Sequence, residues 1–396
     1  MPTSGKPRTK RTAGWSGIRR GHKARPLEWI TEKLIFLVSL SAIGMVCLIF
    51  VFVAKEALPI FLGQMSSSAI RPVIPATELD STPRETLMAY LGLSKDQYES
   101  MDKETLQLLL EVEEEAAAEM LDKVGGDKDA KLNTTEWRYL LRPYQWTGYD
   151  KPEFIWQPIG SIHKYNIIPL VIGSLKITIV GLLFSVPLSI GAAIYVSQLA
   201  RPKFKEILKP TIELLSGIPS VVVGFFALLV MASVLQNVFG YATRLNAFVA
   251  GIALGFSVIP IVFSIAEDAL TSVPRSYTQG ALALGSSPWQ AAWKIVLPAA
   301  MPGVFAAVVL GFGRAIGETM IVLMVCSASV MSWSIFDSAR SITTTIAAEM
   351  AEAVADSHHY RILFMLGAVL FAVTFLSNLA GDLVIHRLKA KMEGKR

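Results

Sequence analysis

Charge is scarce in this sequence: 17% of its 396 residues are Asp, Glu, Lys or Arg, where soluble domains carry about 25%. The deficit is local, because it comes from long stretches with no charge at all. Such stretches are too long for ordinary core helices and long enough to cross a bilayer. Cysteine is nearly absent. Cys47 and Cys326 both fall in apolar stretches, which predicts packing residues rather than a disulfide and carries no redox information. Also missing is any Gly-x-x-x-x-Gly-Lys-Ser/Thr loop, so the chain does not cradle nucleotide phosphates in that way. No metal-hydrolase motif and no nucleophile elbow occurs. These absences predict a membrane protein that is not catalytic alone and holds no metal or cofactor itself.

The net charge of +5 is unevenly placed, which argues against nucleic acid as a partner. Residues 1–33 are basic, with Lys6, Arg8, Lys10, Arg11, Arg19, Arg20, Lys23, Arg25 and Lys33 against Glu28 and Glu32. Residues 65–166 are acidic. Six apolar runs qualify as spans, five of them uncharged and the fifth holding Arg314 and Glu318: Leu34–Val53, Ile177–Ala200, Ile218–Leu235, Asn246–Ala266, Ala299–Val325 and Ile362–Gly381. The first run is longer than a signal core and no small-residue cleavage site follows it closely, so it reads as a retained span. Proline inside such helices is tolerated because neighbouring helices re-satisfy the freed backbone groups.

Lys and Arg in short loops set the orientation. The N-terminal tail, the loop with Arg201, Lys203, Lys205 and Lys209, and the tail with Arg387, Lys389, Lys391, Lys395 and Arg396 fall on one side. The positive-inside rule makes that side the cytoplasm. The predicted organisation is a cytoplasmic tail over 1–33, a first span over 34–53, an acidic extracytoplasmic insertion over 54–166, a core of five spans over 167–385 and a cytoplasmic tail over 386–396. The fold class is all-α. Within the insertion, Leu106, Leu109, Leu110, Ala117 and Leu121 recur at helical spacing and predict a helix over Lys103–Val124, ended by Gly125-Gly126. Its run from Glu111 to Glu115 reads as a solvated face, since the ligand spacing of a calcium loop is absent.

The loop over 267–298 is the most informative segment. Pro274 suits a first helical turn, Gly285 a helix end, and Ser287, Pro288 and Gln290 a capping-box start. Pro298 predicts the next boundary. Helix, break, helix at a membrane surface makes a protruding knob. The segment resembles the signature of ABC-importer permeases: Glu-Ala-Ala, three residues, Gly, nine residues, Ile-x-Leu-Pro. Here Gln279, Gly280 and Ala281 stand at the first position, followed by Gly285, Ile295, Leu297 and Pro298. Gln279 departs from the usual Glu and brings no charge; Gly280 departs from the usual Ala. The resemblance implies that this knob seats in a groove of an ATPase subunit, one of a dimer that binds ATP and Mg.

The fifth run contains Gly311-Phe-Gly-Arg-Ala-Ile-Gly-Glu-Thr319. Arg314 and Glu318, four apart on a continuous helix, share one face. A charge at a span's centre costs roughly 2.5–3.5 kcal/mol, so such residues pair or face a water-filled path. The two form a structural ion pair, or they meet a substrate, or they alternate between the two. Gly311, Gly313 and Gly317 admit an anion or a neighbouring helix. The planar fork of Arg suits a tetrahedral oxyanion, and Glu318 can accept from a protonated phosphate, whereas fully ionised sulfate offers no donor.

This segment is similar to the phosphate-importer permeases, and the similarity continues through Ala339–Met350 and His359-Tyr360 to the sixth run. It is closer to their C-type subunit and covers roughly 167–390. It implies a type I importer permease of a bacterial inner membrane. Arg314, Glu318 and Thr319 would lie on the substrate path. A related permease would be the second half of the pore, and an extracytoplasmic phosphate-binding protein the donor. The insertion inherits no role. Arg340 and Glu349 line an entry vestibule or are loop charges in water, and His358-His359 reads as loop. A permease for sulfate or molybdate, and a phosphate-sensing signalling subunit, remain alternatives. An ion-coupled secondary transporter would leave the 274–298 knob without a purpose.

Overall fold

The computed structural model describes residues 26–65, 67, 74–79, 81–123, 129, 132–160, 162–326 and 331–392. The basic tail up to Arg25, Gly125-Gly126, and Lys395 with Arg396 lie outside these. Residues 1–52 and 53–396 are separate units. In the first, helix α1 (Pro26–Phe61) begins, and every residue from 31 to 52 is exposed. Apolar residues on all sides suit a helix in lipid.

Among the described residues, six helical stretches are long and apolar enough to cross a membrane: Thr31–Phe61, Ile168–Leu199, Ser220–Phe239, Ala247–Thr271, Pro288–Ile316 and His358–Arg387. All six expected runs are present, mostly longer than the uncharged stretch that announced them. The second unit is built on α6 (Ile168–Ile194), α10 (Ala247–Thr271) and α13 (Leu297–Ile316). Small residues let α6 and α10 approach closely, as in membrane bundles. A Cβ on Gly251 would fall 2.5 Å from Val180, and one on Gly255 2.6 Å from Phe184. Ala250, Ala253, Leu254, Val258 and Phe263 of α10 are fully buried beside them.

The loop after the second span is itself a helix, α7 (Pro202–Leu214). The third span is α8 (Ser220–Phe226), a wide turn, then α9 (Ala232–Phe239). A short turn at Leu215–Gly217 followed by Pro219 separates α7 from α8.

Two expectations need correction. The fifth span does not run unbroken to Val325. Helix α13 stops at Ile316, Gly317 to Thr319 are irregular, and α14 (Met320–Val325) follows. Nor does Pro298 mark a boundary: the helix passes through it. A wide π turn at Ala292–Val296 lies just before it, where the missing proline N–H leaves a carbonyl of the preceding turn without its usual partner.

In the insertion, α2 (Arg84–Leu91), α3 (Lys95–Ser100) and α4 (Lys103–Lys123) close a small core of Leu79, Leu87, Leu106 and Leu110. Glu111 and Glu113 to Glu115 are exposed on α4. The later part is α5 (Trp137–Leu141) and an antiparallel hairpin, β1 (Trp156–Gln157) with β2 (Lys164–Tyr165). It shares one core with the permease helices. Leu140, Trp156, Tyr165 and Ile167 pack with Leu170, with Ile342 of α15 (Ile342–Glu349), and with Ile362 and Leu363 of α16 (His358–Met392). His358 and His359 thus open a helix rather than sit in a loop. Cys47 and Cys326 are free.

Candidate functional site

Arg314 lies in the last turn of α13. It borders a cavity of about 290 Å³ whose other walls include Ser216, Ser220, Val223, Phe226 and Ser257. The breaks at Leu215–Pro219 and Gly317–Thr319 interrupt helices of this bundle. Irregular backbone at membrane depth is tolerated where it is buried in protein or lines a cavity. Among the described residues, Arg314 makes no ion pair and no hydrogen bond. The Ser257 hydroxyl is buried and finds no partner among the described residues. Ser216 Oγ already donates to the Glu213 carbonyl at 2.6 Å, so the guanidinium with the Ser220 and Ser257 hydroxyls forms the donor set for an oxyanion.

The helix break changes the geometry expected of Arg314 and Glu318. They do not share the face of a continuous helix, and no ion pair joins them. Glu318 and Thr319 stand in the break. The Glu318 carbonyl accepts from Thr343 Oγ1 at 2.9 Å, and Thr319 Oγ1 donates to the Gly317 carbonyl at 3.4 Å. Gly311 serves a neighbouring helix, because a Cβ there would lie 2.6 Å from Val262 of α10. A Cβ on Gly313 would meet Asn378 of α16 at 3.4 Å.

Arg340 and Glu349 are brought together, with Arg340 Nη2 2.9 Å from Glu349 Oε1. Their side chains are mostly buried, and His359 Nε2 lies 3.6 Å from the other oxygen. Burial pushes the Glu349 carboxyl above its ordinary range, against the pull of Arg340 and of the Trp156 N–H.

The 274–298 segment forms a knob. Helix α11 (Arg275–Ala283) carries Gln279 and Gly280 on its exposed side and buries Ala281. Gly285 takes a φ of +86°, which a residue with a side chain rarely adopts. Ser287 then caps α12 (Pro288–Ala291) with a complete capping box to Gln290. This second helix is no separate element, since it leads through the π turn into the fifth span, with Ile295, Leu297 and Pro298 along the way. Sequence reading missed what the knob displays. Leu284 is 89% exposed, and Trp289 stacks on Trp293 with ring centroids 5.9 Å apart, both rings exposed.

A second omission is Glu267, near the knob end of α10 and 1% exposed. Lys205 and Lys209 of α7 clamp it at 3.0 and 2.7 Å, and Thr271 Oγ1 donates to it at 3.0 Å. The hydrogen bond to Glu267 holds the Lys209 ammonium above its ordinary range. The sequence signal was present: two lysines four apart on a short helix and the carboxylates Glu267 and Asp268 at the end of an apolar run.

Residues 185–393 match the family described as Binding-protein-dependent transport system inner membrane component. The chain belongs to that family. It is a permease subunit of an ABC importer and a multi-pass inner-membrane protein. A probable ABC transporter permease protein, YqgH, of Bacillus subtilis is 36% identical over 241 residues, covering 60% of this chain and 78% of the relative. The phosphate transport system permease protein PstC 1 of Mycobacterium bovis is 32% identical over 254 residues, 58% of this chain and 75% of the relative. The phosphate transport system permease protein PstC of Pasteurella multocida is 31% identical over 261 residues, 61% and 80% respectively. The knob, the Arg314 cavity and the α15 pair all lie within or line the matched permease region. The insertion lies outside it.

Proposed function

We propose that this permease moves inorganic phosphate into the cytoplasm by alternating access, with Arg314 on the path. The observation that carries the reading is a guanidinium within a membrane span that borders a cavity and has no counter-ion among the described residues. Such a charge is costly to leave there, and a visiting anion accounts for it. The names of the relatives add phosphate as the anion. Glu318 and Thr319, in the adjacent break, are the path's second element, and a protonated phosphate offers Glu318 a hydrogen bond.

The apolar tip of the knob supports docking on an ATPase dimer, which binds ATP and Mg. Closure of that dimer moves the knob, and the helices carry the site from one side to the other. A second, related permease forms the other half of the pore. Residues 54–166 face outside, where an extracytoplasmic phosphate-binding protein delivers substrate, and both termini are cytoplasmic. Arg340 and Glu349 belong to the outer entrance.

Uptake of labelled phosphate by the complete complex in vesicles tests this. Uptake requires ATP, collapses in Arg314→Gln and ignores excess sulfate. Normal uptake by the variant removes Arg314 from the path. A second reading, a permease for another oxyanion, is favoured by the cavity lining, because Arg and hydroxyls serve sulfate equally. Competition by sulfate at phosphate concentrations selects it.

A further inference from the structure

One of the buried side chains by which the insertion packs on the permease also makes a polar contact there. Trp156, on β1, is 1% exposed. Its indole N–H points between both Glu349 carboxylate oxygens, at 3.1 and 3.2 Å. Glu349 also holds Arg340, which precedes α15, and approaches His359 of α16. One carboxylate therefore ties four segments together, and the insertion supplies one of them.

Glu349 is the last residue of α15. Near the other end, Thr343 donates to the Glu318 carbonyl in the break between α13 and α14. Six residues separate Thr343 from Glu349, about 9 Å of helix. The short helix is stiffened by the Ser341 capping box to Thr344. Its first N–H, that of Ile342, is held by Ser174 of α6 at 2.9 Å. Helix α15 is thus a short rod with the insertion at one end and the break beside Arg314 at the other.

A buried indole needs some acceptor, so a Trp that merely satisfies itself on a nearby carboxylate is the plain alternative. It predicts lost stability and nothing specific at the break. We propose instead that Trp156 is a positioning residue for the substrate path: it fixes Glu349, and through α15 and Thr343 it sets the backbone at Glu318 and Thr319. This rests on the reading that the break lies on the path.

The test compares wild type, Trp156→Phe, Thr343→Val and the double variant in the complete reconstituted complex with ATP and binding protein. Phe keeps an aromatic ring, though a smaller one, and removes the donor; Val keeps the shape and removes the hydroxyl. Each single variant lowers the maximal phosphate uptake rate by about 3- to 10-fold, with KM changed less than twofold. The double variant is no slower than the slower single one, because both cut the same link. In Trp156→Phe, amides 317–325 also exchange hydrogen faster. Glu349→Gln, which keeps the size, repeats the effect if Trp156→Phe does not fold. Wild-type rate in Trp156→Phe, effects that multiply, or unchanged exchange at 317–325 overturns the proposal. Failure of the phosphate reading shows itself differently, as a wild-type complex that takes up no phosphate, and the exchange experiment then decides alone.

Discussion

Replacing Lys205 and Lys209 together by methionine strands the Glu267 carboxylate in the bundle. Its side chain is 2% exposed, whereas the two lysines are about a third exposed, at 36% and 33%. The asymmetry sets the order of effects. Losing Lys209 alone costs about 1 kcal/mol, since water screens the ammonium and Lys205 and Thr271 remain. Losing both leaves a buried charge with one hydroxyl, which costs about 3–5 kcal/mol. Adding Glu267→Gln to the double variant removes the stranded charge and returns about 2 kcal/mol, the remainder being an imperfectly satisfied amide. At roughly 2 °C per kcal/mol for a chain of this size, the double variant melts about 6–10 °C below wild type. Thermal unfolding of the purified complex in lipid nanodiscs reads this. The pH sign follows from Lys209. Its folded value is raised above 10.5, so its contribution is complete below pH 10.5 and is lost as pH rises through the folded value. A double variant that melts with wild type, or a Gln rescue that lowers stability further, refutes the reasoning.

Gly311→Ala drives a Cβ to 2.6 Å from Val262 and costs about 1–3 kcal/mol by overpacking, read in the same melting experiment. Gly280→Ala meets nothing within 4 Å, so it restores the residue usual in the signature with no loss of stability. Leu284→Asp places a charge on the most exposed apolar side chain of the knob; it lowers affinity for the ATPase subunit at least tenfold in a pull-down titration, about 1.4 kcal/mol, and leaves melting of the isolated permease unchanged. Ser287→Ala removes the hydroxyl that caps the Gln290 N–H, leaving the backbone N–H of residue 287 on the Gln290 side chain, and costs about 1 kcal/mol, with weaker coupling of ATP hydrolysis to uptake.

Five of the six spans were legible because absence of charge over about 20 residues is a property of composition alone, and the fifth because its long apolar run holds only Arg314 and Glu318. Their ends were less so. Span four reaches Thr271 because Lys205 and Lys209 neutralise Glu267, and those lysines come from another helix. The break at Gly317–Thr319 was invisible for a different reason. Gly, Glu and Thr are each tolerated in a helix, and it is Thr343, from far along the chain, that takes the freed Glu318 carbonyl. Arg314 announced itself as a charge in an apolar run, but its cavity is assembled from α8, α10 and the turn before α8. The knob was read almost whole, since caps and a positive-φ glycine are local chemistry. Trp156 and Glu349 are 193 residues apart, and no pattern in the sequence joins them.

The stacked pair Trp289 and Trp293, in the same knob as the exposed Leu284, has a consequence for how much of this protein a cell can hold. An uncovered aromatic tip at the end of a span is an adhesive surface. On the proposed docking, a copy made in excess of an ATPase partner keeps that tip bare, sticks to other exposed apolar segments and becomes a substrate for proteolysis. That docking would tie the abundance of the permease to the supply of the partner rather than to its own rate of synthesis.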